Sequence, residues 1–281
     1  MTEPVSMTVM SKWLPVAVNT AIKLGPKAPS AWEKFVAMVK GPKRRIAVTG
    51  MEGVGKSVLL DALRGKIAQN YEPPKESRKA ETETLTKAGA RLGITVVPGQ
   101  SASPRHSTLE KIFDAKEPPH GVIHVVADGF ASLRAEAPRR AAYEAGLTTI
   151  AAFRAQQRTR ELAELDEVCG YLRRLLRRGT NPGWLIVAVA KYDLLAYDPA
   201  SAMSRYDPSG DGEFVQRLRA LSHQVGADRF EWTAEPVCAR PEDFDWFQET
   251  HVRALDETQR DVLLNNFLDT VAAWCQREVL E

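Results

Sequence analysis

An apolar strand, a glycine-rich turn and a helix start follow one another in Arg45-Ile46-Ala47-Val48-Thr49-Gly50-Met51-Glu52-Gly53-Val54-Gly55-Lys56-Ser57-Val58-Leu59-Leu60. Few local patterns constrain a fold more tightly. Gly50, Gly53 and Gly55 let the backbone wrap closely enough for its N–H groups to point at phosphate oxygens. Lys56 supplies a point charge to the β- and γ-phosphates, and the Ser57 hydroxyl is placed to ligate Mg²⁺. The helix that follows, from Ser57 to about Gln69, turns its positive dipole end toward the same anion. The candidate contacts are therefore Gly50, Glu52, Gly53, Val54, Gly55, Lys56, Ser57 and Val58. A nucleotide is the expected ligand.

Composition narrows the surroundings. A chain of 281 residues, 44% apolar and 26% charged, is large enough for one good core with an appended helical part. A net charge of +2 gives no case for nucleic acid. The basic run Arg173, Arg174, Arg177 and Arg178 lies on a leucine-rich helix and reads as a solvated face. Cys169, Cys238 and Cys275 are far apart and lack CxxC spacing, which argues for a reducing, cytoplasmic setting. The histidines are as scattered, with no partner at metal-ligand spacing. No apolar run approaches the about 18–20 residues that span a bilayer, and the N-terminus lacks a secretory pattern.

Residues 1–41 read as an N-terminal extension of two amphipathic helices. Trp13, Leu14, Val18, Ala21 and Ile22 form one stripe; Trp32, Phe35, Val36 and Val39 form the other. Such a prefix docks on the globular part, on a partner, or peripherally at a membrane. Residues 42–281 then alternate strands and helices. Thr82–Lys87 and Leu92–Val97 form a hairpin about Ala88-Gly89-Ala90. Val122–Ala127 is a strand ending at Asp128-Gly129, with His124 facing a neighbouring helix. A helical insertion over about 131–157 precedes a helix ending near Leu175-Leu176. Trp184–Ala190 is a buried strand, followed by a polar loop around Pro199, a helix to about Val225, a last strand over Phe230–Cys238 and a closing helix. This order predicts a doubly wound, mostly parallel α/β sheet.

On these residues the chain resembles the translation-factor and Ras-like class of P-loop GTPases, over roughly residues 44–281. The phosphate loop matches fully. In the family's DxxG segment, Pro98, Gly99 and Gln100 fit, while Val96 stands where the aspartate belongs. The resemblance implies that the Gly99 N–H senses the γ-phosphate and that Gln100 orients the attacking water, with Gly99, Gln100 and Lys56 as the catalytic set. Val96 cannot hold Mg²⁺ through a water. The base-reading NKxD segment is Ala190-Lys191-Tyr192-Asp193: Asp193 accepts two hydrogen bonds from guanine, Lys191 lays its stem over base and ribose, and Ala190 has lost the asparagine amide. Cys238-Ala239-Arg240 occupies the place of the family's last short element, where the Ala239 N–H reaches the guanine carbonyl. Thr82, chosen over Thr84 and Thr86, is the candidate metal-binding threonine beside Ser57.

Three functions stay open at this point. The first is a slow GTPase that acts as a switch toward an unidentified protein, with GTP and Mg²⁺ as ligands. The second is a degenerate, nucleotide-holding scaffold. The third is a P-loop ATPase or kinase in which Asp128 carries the metal; against that role stands a plain helix-cap reading of Asp128. Arg134, Arg139, Arg140 and Arg154 lack a clear lid pattern, and Arg105 is no better than surface charge as an arginine finger.

Overall fold

The computed structural model describes residues 44–67, 71–72, 81–87, 90–99, 103–180 and 183–277. The helices read over 1–41, the turn at Ala88-Gly89 and Gln100 lie outside the described residues. Six strands make one sheet in the order β2-β3-β1-β4-β5-β6. They are β1 (Arg44–Thr49), β2 (Glu81–Lys87), β3 (Ala90–Val96), β4 (Gly121–Val126), β5 (Trp184–Val189) and β6 (Glu231–Pro236). Five run parallel, and β2 closes the edge antiparallel to β3. Every residue of β4 and β5 is buried, as central strands covered on both faces require. Gly121 opens β4 because its neighbour leaves no choice: a Cβ there would stand 2.1 Å from the Trp184 indole across the ladder.

Helices α1 (Lys56–Leu63) and α7 (Glu257–Gln276) pack together, and α4 (Ile150–Arg177) packs with α2 (Ser103–Phe113) and α6 (Glu213–Val225). The phosphate-loop helix is shorter than its sequence predicts; it ends at Leu63, where Arg64 caps it and Gly65 takes φ +67°. The insertion is also smaller. Helix α3 (Glu136–Glu144) is its only helical piece, and residues 150–157 belong to α4, whose N-cap Thr149 accepts a hydrogen bond from the Ala152 N–H. The stretch read as a loop around Pro199 contains helix α5 (Pro199–Ser204), because Asp198 caps it and proline suits the first helical position.

A second, two-stranded sheet pairs β7 (Phe244–Trp246) with β8 (Glu249–His251). The Trp246 indole donates to the Leu147 carbonyl, and Glu249 accepts from the Ile150 N–H, so the hairpin braces the start of α4. His124 is fully buried, hydrogen-bonded to Thr49 and set against Phe214 of α6. Arg174 on α4 and Arg178 at its C-cap are exposed, each 3.9 Å from Asp114.

Candidate functional site

The loop between β1 and α1 turns through Gly50, Gly53 and Gly55, all at positive φ. At Gly50 a Cβ would meet the Val125 carbonyl oxygen at 2.3 Å, so only glycine lets the loop lie on the end of β4. Lys56 folds back over the loop. Its ammonium donates to the carbonyls of Gly50 at 2.7 Å and Met51 at 2.8 Å. Helix α1 has neither a side-chain cap nor an acidic residue in its first turn. A helix start with that dipole, a folded-back lysine and three glycine turns is an arrangement that can hold a polyphosphate.

The end of β3 closes the cradle. Val97 donates to the Val48 carbonyl at 2.9 Å, which carries Gly99 onto the loop. A Cβ on Gly99 would stand 2.6 Å from the Lys56 ammonium and 2.6 Å from the Glu52 nitrogen, so the backbone of Gly99 lies against the charge. Val96 is buried in register with Val48 and contributes packing, not charge. Thr82 pairs with Thr95 on the edge strand, two strand spacings from β1, or about 10 Å; its side chain lies outside the described atoms.

Asp128, at positive φ after β4, is neither a helix cap nor a free carboxylate. Arg158 grips it with two hydrogen bonds of 2.7 Å each. Arg154 reaches it at 2.5 Å, Arg205 at 3.6 Å and the Tyr206 hydroxyl at 3.4 Å. The metal reading of Asp128 is corrected on this ground: three guanidiniums surround a carboxylate whose side chain is 3% exposed, and a divalent cation there would meet positive charge on every side. Among the described residues no group of three or more His, Cys, Asp and Glu could hold a metal.

Beneath Asp128 lies Glu161, fully buried on the apolar stripe of α4. One carboxylate oxygen accepts the N–H groups of Ala127 (2.9 Å) and Gly129 (3.2 Å), and the other accepts the Tyr206 hydroxyl at 3.0 Å. Burial outweighs these hydrogen bonds and pushes its pKa up to about 7. The loop after β4 is thereby fixed, and it runs on to Ser132. The Ser132 N–H donates to the Gly53 carbonyl at 3.0 Å, and its hydroxyl accepts from the Lys191 ammonium at 2.7 Å.

Lys191 leaves β5 at φ +53° and extends along the face of Phe244, 5.5 Å from the ring centroid. Burial pulls its pKa down to about 8. Asp193 is buried beside it. Its Oδ1 accepts from the Cys238 thiol at 3.3 Å and its Oδ2 from the Glu242 N–H at 2.9 Å. Burial raises the pKa of Asp193, and these two donors oppose that rise. Burial likewise holds the Cys238 thiol protonated, so it acts as donor. Ser132, Lys191, Asp193, Arg240 and Phe244 line one pocket. Ala239 is half-buried between Cys238 and Arg240, whose guanidinium donates to the Tyr71 carbonyl.

Sequence reasoning missed Ser132, Glu161, Tyr206 and Glu242. Only Glu161 left a signal: with Gln157 and Glu164 it interrupts a stripe otherwise made of Phe153, Leu165, Val168 and Leu172.

Comparison with known proteins agrees with the loop geometry. Residues 45–162 match the family model described as 50S ribosome-binding GTPase. The match covers the phosphate loop and Gly99 and ends within α4, before Lys191 and Asp193. No curated protein matches the chain.

Proposed function

We propose that the protein binds GTP through one continuous site and hydrolyses it slowly, as a switch toward a protein partner, a reading supported by the match of residues 45–162 to a GTPase family model. The observation that carries the reading is the backbone of Gly99 set against the Lys56 ammonium. A terminal phosphate on Lys56 touches Gly99 directly, so its loss changes what holds the segment after β3. That is how a γ-phosphate becomes a conformational signal.

The residue roles follow from donors and acceptors. The N–H groups of Gly50–Val58 and the Lys56 ammonium hold the phosphates. Asp193 reads the base: the Cys238 thiol and the Glu242 N–H hold its carboxylate in place, and that carboxylate accepts from the guanine ring N–H and exocyclic amine. The stem of Lys191 covers the base plane, and the Ala239 N–H faces the guanine carbonyl. Gln100 orients the attacking water. Mg²⁺, which neutralises charge between the β- and γ-phosphates, would rest on the Ser57 hydroxyl and the nucleotide's own oxygens. The protein's contribution is positioning and electrostatics.

A second reading, a scaffold that holds GTP without useful turnover, is favoured by Val96, which puts a buried methyl pair where the family's carboxylate belongs. Turnover separates the two. The base assignment is tested by binding of labelled GTP, ATP and xanthosine triphosphate to wild type and Asp193→Asn. Selective GTP binding that shifts toward the xanthine nucleotide in the variant is the expected result, because the asparagine amide donates where guanine's amine did. Equal binding of ATP and GTP by the wild type would remove Asp193 as base reader.

A further inference from the structure

We propose that Ser132 is a positioning residue that ties the phosphate loop to the base-reading loop, so that the base's contribution to affinity depends on its hydroxyl. The inference rests on reading Lys191 and Asp193 as the guanine site.

The two halves of the candidate site come from different strands. Gly50–Ser57 follows β1, and Ala190–Asp193 follows β5, with β4 between them. Ala190 carries only a methyl group, so it has no side-chain donor or acceptor with which to reach across. The connection runs instead through the loop that follows β4. Its Ser132 uses the backbone N–H on the carbonyl of Gly53 and the hydroxyl on the ammonium of Lys191. The link is thus one residue long, with a bond of 3.0 Å on one side and 2.7 Å on the other.

Both ends are fixed by sterics. A Cβ on Gly53 would lie 2.5 Å from the Ser132 carbonyl oxygen and 2.7 Å from its nitrogen, so the phosphate loop approaches Ser132 as closely as two backbones allow. Lys191 adopts the left-handed conformation, φ +53°, which strains a non-glycine residue, and its ammonium donates to Ser132. The loop itself does not yield. Glu161 holds the N–H groups of Ala127 and Gly129, and Arg154 donates through Nε to the Asp128 carbonyl at 3.2 Å. A Cβ on Gly129 would meet the Arg154 carbonyl oxygen at 2.4 Å, which seats the loop on α4. Ser132 is therefore a fixed post between two ligand-facing loops, and it acts through Lys191 rather than on the nucleotide.

The test is a double-mutant cycle of Ser132→Ala and Lys191→Met, read by binding of GTP and of inorganic tripolyphosphate. Ser132→Ala keeps the backbone bond to Gly53 and removes only the acceptor for Lys191; Lys191→Met keeps the stem and removes the donor. A hydrogen bond to a charged group predicts roughly tenfold weaker GTP binding in each single variant and no further loss in the double variant. Tripolyphosphate, which lacks the base, binds all four proteins alike. Additive losses, or a parallel loss of tripolyphosphate, would assign Ser132 a general structural role and overturn the proposal. Unchanged GTP affinity in Ser132→Ala would overturn it and leave the guanine-site reading intact. Wild type that binds tripolyphosphate but no guanine nucleotide would end both. Should Ser132→Ala not fold, Ser132→Cys, which keeps the backbone bond to Gly53 and offers only a weak sulfur acceptor, takes its place in the same cycle, with the same outcomes deciding.

Discussion

Arg158 and Asp128 form a two-pronged ion pair, Nε to Oδ1 and Nη2 to Oδ2, each 2.7 Å long, directly behind the loop that carries Ser132. Arg154, its guanidinium 3.9 Å from the centre of the Phe130 ring, completes the grip on the same carboxylate. The pair joins the end of β4 to α4 across 30 residues of sequence. Burying it is favourable only while all partners are present.

Removing the charge at Asp128 therefore leaves guanidiniums unpaired near the core. Asp128→Asn is expected to destabilise the nucleotide-free protein by about 3–5 kcal/mol, read as a lower urea midpoint. A metal ligand would behave in the opposite way: stability without nucleotide would hold, and Mg²⁺-dependent binding would fall. A loss below about 1 kcal/mol would mean that the arginines find other partners.

Glu161 gives the fold a pH dependence of known sign. Its folded pKa, about 7, lies above the ordinary glutamate value of 4.5 because burial disfavours the charge. The folded state thus holds the proton more tightly than the unfolded chain. Its contribution is complete below the unfolded value and disappears as pH rises to about 7. The size is on the order of 3 kcal/mol. Glu161→Gln keeps an acceptor for Ala127 and Gly129 and cannot ionise. The difference in unfolding free energy between wild type and variant should shift in the variant's favour from about pH 5 to about pH 8 and then level off. A difference independent of pH would place the titration elsewhere.

The sequence made the phosphate loop legible because glycine spacing and a following lysine are local facts. The sheet was legible for a related reason: unbroken apolar runs such as Trp184–Val189 identify buried strands without knowledge of their neighbours. What failed was of two kinds. The caps at Thr149 and at Asp198-Pro199 leave no periodic trace, so periodicity alone assigns the start of α4 to the insertion and reads α5 as loop. The three-residue strands β7 and β8 are too short to show a period. The second kind lies beyond local reading. Asp128 reads in sequence as a helix cap or a metal ligand, because its arginines stand on α4 and after α5, and Ser132 carries no pattern, because its two partners come from other strands.

The loop glycines separate backbone strain from collision. Gly53 and Gly55 both adopt positive φ, but an added Cβ meets Ser132 at Gly53 and finds nothing within 4 Å at Gly55. Gly55→Ala is expected to cost about 1–2 kcal/mol from backbone strain alone. Gly53→Ala should cost more, since it also drives Ser132 away and breaks the bond to Gly53. Thermal unfolding of the two variants without nucleotide ranks them. Equal losses would show that the loop after β4 moves aside freely.

Lys56 decides whether the cradle is a phosphate site. Its ammonium donates to two backbone carbonyls of its own loop, at 2.7 Å and 2.8 Å. Lys56→Ala should leave the far-ultraviolet circular dichroism unchanged and the unfolding midpoint nearly so. Nucleotide affinity should fall roughly hundredfold or more, the scale for removing one member of a buried charge pair. Titration of labelled GTP and of tripolyphosphate should show the loss alike, because the lysine faces the phosphates and not the base. Undiminished affinity in a folded Lys56→Ala protein would mean that the polyphosphate lies elsewhere, and Gly99 would then have no terminal phosphate to sense.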